Sequence, residues 1–375
     1  SGGRTSAVPP PSGDTIVTDV PGLLELGFSP RWQALFAPHA DAGRVPARVV
    51  RTDRGSSLVA TAEGIARAKR SAGLRRSGGL PAVGDWVALH APAGLDTPLI
   101  EAVLDRAGAI ARGAAGRTSD VQVLAANVDV VFVTAPIAEP PHLRRIEREL
   151  ALAWDSGAVP VVVLTKADLC DDPDAARAAV EAIAPGAEVL VTRALAGGGI
   201  AALRERVAGH RTAVLIGPSG AGKSTLVNAL LGEERQATRA VRVSDGRGRH
   251  VTVARELVAL PGGGVLIDTP GLRELALVGA EEGIGAAFPE IEQAARGCRF
   301  RDCAHEDEPG CAVRAAVEAG DLPEERLASW HKLVRESRSA ARRSDARLRA
   351  EDERRWKAIS KAAKAISRQR DARGR

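Results

Sequence analysis

Short apolar runs alternate with helical stripes through the middle of this chain. The apolar runs have strand length and occupy residues 129–134, 159–164, 188–192, 211–216 and 264–267. A helical stripe after the first run carries Leu143, Ile146, Leu150 and Trp154, and an Ala-rich stretch after Pro173 also has helical character. Strands that alternate with helices predict a parallel β-sheet covered by helices on both faces.

The pattern before residue 115 is different. Strand candidates separated by turn residues occur at 48–51, 57–60, 83–89 and 99–104. Roughly five short strands in about seventy residues predict a small β-barrel such as an OB-fold. A Gly-containing loop between two of the strands is predicted to carry Arg67, Lys69, Arg70, Arg75 and Arg76. Loops of OB-folds commonly contact nucleic acid, so we expect an RNA-binding domain.

Residues 217–224 read Gly-Pro-Ser-Gly-Ala-Gly-Lys-Ser and match the P-loop pattern G-x-x-x-x-G-K-[ST] between a strand and a helix. The glycines lack a Cβ, so the backbone can curl and direct its N–H groups at phosphate oxygens. Lys223 would reach the β and γ phosphates, and the hydroxyl of Ser224 would hold Mg²⁺. The predicted nucleotide contacts in this loop are Gly217, Pro218, Ser219, Gly220, Ala221, Gly222, Lys223, Ser224 and Thr225.

A second motif, Asp268-Thr-Pro-Gly271, ends the apolar run at 264–267. The Asp268 carboxylate could support Mg²⁺ through water, and the amide of Gly271 could contact the γ-phosphate. Alone, this sequence would indicate only a turn. About 45 residues beyond a P-loop, it favours a nucleotide-sensitive switch.

The base-reading loop, Thr165-Lys-Ala-Asp168, comes before the P-loop. It matches [NT]KxD, in which the carboxylate of Asp168 accepts two hydrogen bonds from guanine and Lys166 lays its stem over the base. Thr165 replaces the more usual Asn, and the motif alone would indicate an ordinary surface turn. The last guanine-loop motif is expected near residues 191–194 from its place in the chain, although the sequence there fits the motif poorly. In ordinary GTPases [NT]KxD comes after the P-loop, so the GTPase domain is predicted to be circularly permuted.

Hydrolysis needs a group that orients water, and many GTPases place Gln after the D-x-x-G motif. Leu272 stands there and cannot act in this way. His250 lies where the first switch belongs and could orient water or accept its proton, while Thr252 could bind Mg²⁺ and the γ-phosphate. The alternative is that His250 and its neighbouring arginines contact RNA phosphates.

Three cysteines cluster around one histidine in the pattern C-x4-C-x-H-x5-C, and Cys170 stands apart. Three thiolates and an imidazole complete a closed tetrahedral shell, which predicts one structural Zn²⁺ per chain. The ligands would be Cys298, Cys303, His305 and Cys311. Disulfides are the alternative, but an odd number of clustered cysteines without a secretory segment argues against them.

Charge is concentrated at the C-terminal end. The chain carries a formal net charge of +5, and from Lys332 onward Lys and Arg outnumber Asp and Glu by 16 to 6. Such a basic tail favours contact with RNA, although a solvated helix would show the same charge. Aromatic residues make up 3% and Tyr is absent, so we expect recognition by charge and RNA shape rather than by stacking. No apolar run approaches about eighteen residues, and we expect a cytoplasmic monomer that does not enter a membrane.

The motifs resemble those of the RsgA family, ribosome small subunit-dependent GTPases of bacteria with a circularly permuted domain. The resemblance runs from about residue 43 to residue 330 and is carried by residues 81–87, 126–129, 164–169, 217–225, 248–250, 267–273 and 298–313. It implies late maturation of the small ribosomal subunit, contact with its rRNA, and hydrolysis of GTP to GDP and phosphate stimulated by that subunit. Val251 and Val253 replace two threonines of the family pattern, so Thr252 alone must serve as the switch threonine.

These observations predict a multidomain protein in five parts. The parts are a flexible arm (1–42), an OB-fold RNA-binding β-barrel (43–115), a circularly permuted α/β P-loop GTPase domain (116–280), a C-terminal α-helical zinc-binding domain (281–335) and a basic helical tail (336–375). Two other functions compete with this interpretation. One is an RNA-binding zinc protein with a vestigial nucleotide pocket, and the other is a P-loop ATPase.

Overall fold

The computed structural model describes residues 22–91, 97–112, 122–232, 255–268, 277 and 279–344. The predicted site residues His250, Thr252 and Gly271 lie outside these ranges, as does the basic tail beyond residue 344. Within the described residues, no helix combines the length and the apolar character needed to cross a membrane.

Helix α1 (Pro30–Asp41) corrects the predicted flexible arm (1–42) over these residues, while residues 1–21 lie outside the described ranges. Trp32 and Phe36 lie one helical turn apart and are both buried. The ring of Trp32 packs 6.2 Å from that of Trp86 in the barrel, and Phe28 packs 4.9 Å from the same ring. Burial of two large aromatic side chains stabilises this segment against the barrel.

The N-terminal domain is a closed five-stranded barrel, as predicted. Its strands are β1 (Val45–Asp53), β2 (Ser56–Thr61), β3 (Gly64–Arg70), β4 (Trp86–His90) and β5 (Leu99–Val103), with the short helix α2 (Ala72–Arg76) after β3. The pairings run β1–β2–β3–β5–β4 and close from β4 back to β1. Only β3 and β5 pair in parallel, and this topology is that of an OB-fold.

The basic residues of the barrel do not lie in a loop, so that part of the prediction is wrong. Arg67, Lys69 and Arg70 belong to β3, and Arg75 and Arg76 belong to α2. Small alanines alternate with these residues on β3 and point into the barrel, which leaves Arg67 and Lys69 exposed.

A second body contains the predicted α/β sheet. Its strands are β8 (Val130–Pro136), β9 (Val159–Thr165), β10 (Glu188–Val191), β11 (Thr212–Ile216), β12 (Glu256–Ala259) and β13 (Val265–Asp268), preceded by a hairpin of β6 (Ala109–Arg112) and β7 (Gln122–Ala126). The sheet order is β10–β9–β8–β11–β13–β12, and only β12 is antiparallel to its neighbour. Its helices are α3 (Leu143–Asp155), α4 (Pro173–Glu181), α5 (Ile200–Val207) and α6 (Lys223–Leu231).

The two sheets are joined at one point, where Arg51 of β1 pairs with Glu256 of β12. A second link runs through Arg48, which is buried in the barrel. Its guanidinium donates to the hydroxyl of Thr212 at the start of β11, at 2.8 Å, and to the carbonyl of Leu26. The barrel is therefore bonded to the strand that leads into the P-loop.

The C-terminal part is helical, as predicted. Its helices are α7 (Glu281–Ala287), α8 (Pro289–Ala295), α9 (Ala312–Ala319) and α10 (Glu324–Ser344). Helix α7 packs closely on α3, and α10 contacts both of these helices. The hydroxyl of Ser337 on α10 accepts a hydrogen bond from the amide of Ala280, which precedes α7. The helical part therefore rests directly on the α/β sheet domain.

Candidate functional site

The P-loop connects β11 to α6, as its sequence pattern predicts. Gly217, Gly220 and Gly222 all have positive φ angles, of 141°, 79° and 83°. A side chain at Gly217 would collide with the hydroxyl and carbonyl oxygens of Thr134 on the neighbouring strand β8. The hydroxyl of Thr134 instead donates to the carbonyl of Ile216 at 2.7 Å. The glycines therefore allow both the curvature of the loop and its close packing on the sheet.

Lys223 is the first residue of α6 and turns back over the loop. Its Nζ atom donates to the carbonyl oxygens of Gly217 at 2.8 Å and Pro218 at 2.6 Å. The ammonium group therefore lies inside the curve of the P-loop, at the N-terminal end of a helix. Backbone N–H groups at a helix N-terminus and a nearby lysine favour the binding of phosphate.

The base-reading loop lies against the P-loop, although the two are far apart in sequence. The hydroxyl of Thr165, which is buried at the end of β9, donates to the carbonyl of Ala221 at 2.7 Å. The Thr165 side chain also faces Gly222, where an added Cβ would be in van der Waals contact at 3.7 Å. Lys166 adopts a left-handed conformation with a φ of 60°, and Asp168 follows in the 3₁₀ turn Ala167–Leu169. The threonine that departs from the usual Asn thus bonds one loop to the other.

The loop after β10 supports this arrangement from the other side. Thr192 is fully buried, and its amide and hydroxyl both donate to the carbonyl of Leu164, at 2.7 and 3.0 Å. Its own carbonyl accepts from the amide of Ala167 at 3.3 Å. The segment at 191–194, where the last guanine-loop motif was placed, therefore packs beside the base-reading loop.

Asp268 is the last residue of β13, which lies parallel to and beside β11. The carboxyl ends of parallel strands meet at one edge of a sheet, and here that edge also carries the P-loop. The structure therefore brings three of the predicted motifs together at this edge. His250, Thr252 and Gly271 are not among the described residues, so their placement stays a prediction.

The predicted metal ligands form one compact cluster. The ligand atoms of Cys298, Cys303, His305 and Cys311 all lie within 4.8 Å of one another. The sulfur atoms of Cys298 and Cys311 lie 3.6 and 3.5 Å from Nδ1 of His305 and 4.0 Å from each other. Such separations suit a tetrahedral ion with bonds of about 2.0–2.3 Å. The cluster could hold a metal ion, and its four ligands would leave no position for water.

Backbone N–H groups near the cluster act on the pKa values of its thiols. Burial would raise the pKa of Cys298, but N–H groups of Val313 and Ala312 together with neighbouring thiols hold it below its usual value. Burial raises the pKa of Cys303 to about 12. The loop between these ligands is closed by the carboxylate of Glu308, which accepts from the amides of Ala304 and Glu306. A metal ion would displace the remaining protons and keep all thiols ionised.

The sequence analysis missed a set of buried charges on α3. Glu147 binds Arg326 of α10 at 2.7 Å and also bonds with the hydroxyl of Ser329. The next residue, Arg148, binds Glu336 of α10. Glu149 is 8% exposed, and burial raises its pKa to about 7 against the opposing positive charges of Arg145, Lys223 and Arg148. The sequence did contain a signal for these buried charges, because acidic residues occupy positions beside the apolar stripe of α3.

Comparisons with known proteins agree with this geometry. The sequence model of RsgA GTPase matches residues 103–278, and that of 50S ribosome-binding GTPase matches residues 212–371. Proteins named small ribosomal subunit biogenesis GTPase RsgA were found in two Streptomyces species. The Streptomyces coelicolor protein is 50% identical over 91% of this chain and 94% of its own length, and the Streptomyces avermitilis protein is 49% identical over 89% and 91%.

Solved structures show the same architecture. YjeQ from Thermotoga maritima superposes with a TM-score of 0.60 at 28% identity, covering 77% of this chain and 97% of its own. YloQ, described as a circularly permuted GTPase, superposes with a TM-score of 0.56 at 21% identity, covering 79% and 96%. At that identity the second likeness concerns the fold alone. The order of the motifs, their meeting at one sheet edge and the identity to curated relatives agree, and this chain belongs to the RsgA family of GTPases.

Proposed function

We propose that this protein hydrolyses GTP during late maturation of the small ribosomal subunit, and that the subunit stimulates hydrolysis. The observation that carries the proposal is the hydrogen bond from Thr165 to the carbonyl of Ala221. This bond joins the loop that we expect to read guanine to the loop that we expect to bind phosphate, which supports one pocket for both. The names of the curated relatives support the biological setting.

Each motif has a distinct role in the proposed pocket. The carboxylate of Asp168 accepts hydrogen bonds from the N1–H and exocyclic amine of guanine, while the aliphatic stem of Lys166 covers the base. The amides of residues 217–225 bind phosphate oxygens, and Lys223 neutralises charge on the β and γ phosphates. Gly271 donates its amide to the γ-phosphate. An adenine base would present a mismatched edge to Asp168, so GTP is preferred to ATP.

Hydrolysis transfers the γ-phosphoryl group to water, and the bond from phosphorus to the bridging oxygen of GDP breaks. Positioning and electrostatics lower the barrier, because the transition state spreads negative charge over phosphate oxygens. His250 orients the attacking water or accepts its proton, a role that Leu272 cannot fill. The competing role for His250 is contact with RNA phosphates.

The residues at the P-loop fit a bound Mg²⁺ ion. Ser224 would offer one hydroxyl ligand and Thr252, whose placement stays a prediction, the other, while Asp268 would support the ion through water from the end of β13. When bound with GTP, the ion would neutralise charge on the phosphates.

At the separate cysteine cluster, three sulfurs and one imidazole nitrogen fit Zn²⁺, a structural ion that stabilises the loop between α8 and α9. Metal analysis of the purified protein tests this assignment, with one zinc per chain expected and substitution of Cys311 by Ser expected to abolish it.

The proposed partner is the small ribosomal subunit with its rRNA. The exposed cations of β3 and α2 give the barrel a basic surface, although Asp53 pairs with Arg51 and Arg67 and neutralises part of it. The proposed division at residues 115 and 280 assigns RNA contact to the barrel, on which α1 packs, and nucleotide chemistry to the second body, with the basic tail following the C-terminal helices. A cytoplasmic monomer with no membrane contact fits this function.

GTPase activity with and without isolated small subunits tests the proposal. We expect slow release of phosphate by the protein alone and faster release when subunits are added. Competition between ATP and GTP for the pocket distinguishes an ATPase, since GTP should displace a labelled guanine nucleotide and ATP should not. Absence of guanine nucleotide binding would leave only a metal-stabilised RNA-binding protein.

A further inference from the structure

Arg48 is a buried cation of the barrel that the proposed chemistry does not use. It lies on β1 with 1% of its surface exposed. Within the described part of the chain its guanidinium donates only to neutral oxygens, namely two backbone carbonyls and one hydroxyl. Burial of a charge costs free energy, and well-packed apolar residues of similar volume are often at least as stable in its place. The presence of this buried guanidinium therefore requires an explanation.

The three acceptors of Arg48 belong to three separate parts of the molecule. The carbonyl of Leu26 lies in the turn before α1, the carbonyl of Gly84 lies in the turn before β4, and the hydroxyl of Thr212 lies at the start of β11. The carbonyl of Gly84 also accepts from Nδ2 of Asn127, between β7 and β8, at 3.1 Å. One side chain of the barrel is therefore bonded to the N-terminal segment and to the α/β sheet domain at once.

Thr212 is held by the sheet domain through its backbone. Its amide donates to Oδ2 of Asp129 at 2.7 Å, and its carbonyl accepts from the amide of Asp129 at 2.8 Å. This leaves the hydroxyl of Thr212 to the barrel, as the acceptor from Arg48. Strand β11 continues from Thr212 to Ile216, and the P-loop begins at the next residue. The bond from Arg48 therefore acts on the strand that positions the P-loop.

Strand β1 also contacts the other side of the nucleotide pocket. Arg51 of β1 pairs with Glu256 of β12, and Glu256 pairs in turn with Asp268 of β13, so the three residues form one row across the sheet. The side chain of Arg51 binds Asp53, which also binds Arg67 on the basic surface of the barrel. A phosphate that binds these arginines would compete with Asp53. The basic surface and the edge that carries Asp268 are thus joined by β1.

We propose that β1 couples RNA contact at the barrel to the nucleotide pocket, and that Arg48 is the positioning residue whose bond to Thr212 carries this coupling to the P-loop strand. The proposal rests on the proposed function, because it assumes that the subunit contacts the barrel and accelerates hydrolysis. Coupling between two sites requires an element whose arrangement affects both, and β1 is bonded to both. An apolar residue at position 48 would fill the barrel but would not bond to β11.

Thr212→Val tests the coupling, because it removes the hydroxyl and keeps both the shape of the side chain and the backbone bonds to Asp129. Thr212→Ser keeps the hydroxyl and is the matched control. GTP turnover of the full chain is measured with and without saturating small subunits, and the ratio of the two rates is compared. We expect Thr212→Val to lose about fivefold or more of the stimulation, while Thr212→Ser retains it and turnover without subunits is unchanged in both variants.

Two further variants separate coupling from stability. Ser337→Ala also removes a buried hydrogen bond, to the amide of Ala280, but lies outside the junction. Its stimulation should equal that of the wild type even if its melting temperature falls. Arg48→Lys keeps the charge, but a single nitrogen cannot reproduce the geometry of all three bonds, so it should lose stimulation as Thr212→Val does. It decides the question if Thr212→Val does not fold.

Titration with labelled GDP shows whether the pocket of each variant is intact, and its affinity should stay near that of the wild type. Stimulation that persists in Thr212→Val and Arg48→Lys would overturn the coupling and leave the proposed function standing. GDP affinity that falls as far as the stimulation would also overturn it, because Arg48 would then act only on the folding of the pocket. Absence of stimulation in the wild type would defeat the proposed function and the coupling together.

Discussion

Nη1 of Arg326 and Oε1 of Glu147 form an ion pair of 2.7 Å whose two side chains are 8% and 4% exposed. The pair joins α10 to α3, and the same guanidinium binds Glu290 and the carbonyls of Ala287 and Ile183. It also stacks 4.2 Å over the ring of Phe288. One arginine thus links α10 to three other helices, α3, α7 and α8, and to the segment after α4.

We predict that Arg326→Met destabilises the protein by about 3–5 kcal/mol, because it leaves Glu147 buried without its cation. Urea unfolding followed by fluorescence measures the change. The control is Arg177→Ala, which breaks an exposed pair with Glu181 and should cost less than about 0.5 kcal/mol. Similar small losses for the two variants would contradict a structural role for the buried pair.

Thr165→Val should weaken guanine nucleotide binding. The variant keeps the shape of the side chain but removes the hydrogen bond to Ala221 and leaves a buried carbonyl unsatisfied, at a cost of about 1–3 kcal/mol. Thr165→Ser keeps the hydroxyl and is the matched control. Titration with labelled GDP and thermal unfolding measure the two effects, and unchanged affinity in Thr165→Val would show that this bond does not align the loops.

The contact between the two loops was predictable from sequence only in part. Motif order and flanking strands predicted that residues 165–168 and the P-loop share a pocket, since both come after the carboxyl ends of parallel strands. The role of Thr165 was not predictable, because its bond is to a backbone carbonyl, which every residue has. Helix α1 was missed because the character of the Pro-rich start of the chain was extended through residue 42, although Trp32 and Phe36 lie one helical turn apart. The basic residues of β3 were assigned to a loop because their alternation with alanines is a weak signal for a strand.

Asp168→Asn should change the base that the pocket prefers. An amide cannot accept both hydrogen bonds from guanine, and charged hydrogen bonds contribute about 1.5–3 kcal/mol each, so GTP affinity should fall about 100-fold or more. The amide can donate to the second carbonyl of xanthine, so xanthosine triphosphate should bind better than GTP. Competition titrations with both nucleotides measure the switch. Retained preference for GTP would remove Asp168 from base recognition.

Glu149→Gln should make stability less sensitive to pH. The pKa of Glu149 is raised from 4.5 to about 7, so its contribution to stability is complete below pH 4.5 and is lost as pH rises towards 7. At pH 8 the wild type should therefore be less stable than Glu149→Gln by about 3 kcal/mol relative to their difference at pH 4. Denaturant titrations at the two pH values measure this difference, and parallel pH profiles would show that the carboxylate is not buried in solution.

His250→Ala should lower GTP hydrolysis in the presence of small subunits and leave GTP affinity nearly intact. A group that orients water contributes to the transition state and not to nucleotide binding, and general acid–base groups typically contribute about 10²–10⁴-fold. Single-turnover hydrolysis with saturating subunits measures the effect. If stimulated turnover is unchanged while subunit affinity falls, His250 contacts RNA instead.

The permuted order of the chain also determines which elements come after Asp268. In an unpermuted GTPase this strand end would lead to further strands of the same sheet. Here the next described helix after β13 is α7, whose first turn begins at Glu281; α7 packs on α3 and is followed by α8 and then by the cysteine cluster. The reordering therefore gives the C-terminal helices the shortest covalent connection to the edge where the γ-phosphate would lie. Among the described elements, no strand follows β13 before the C-terminal helices, so these helices come after that edge along the main chain without a return to the sheet.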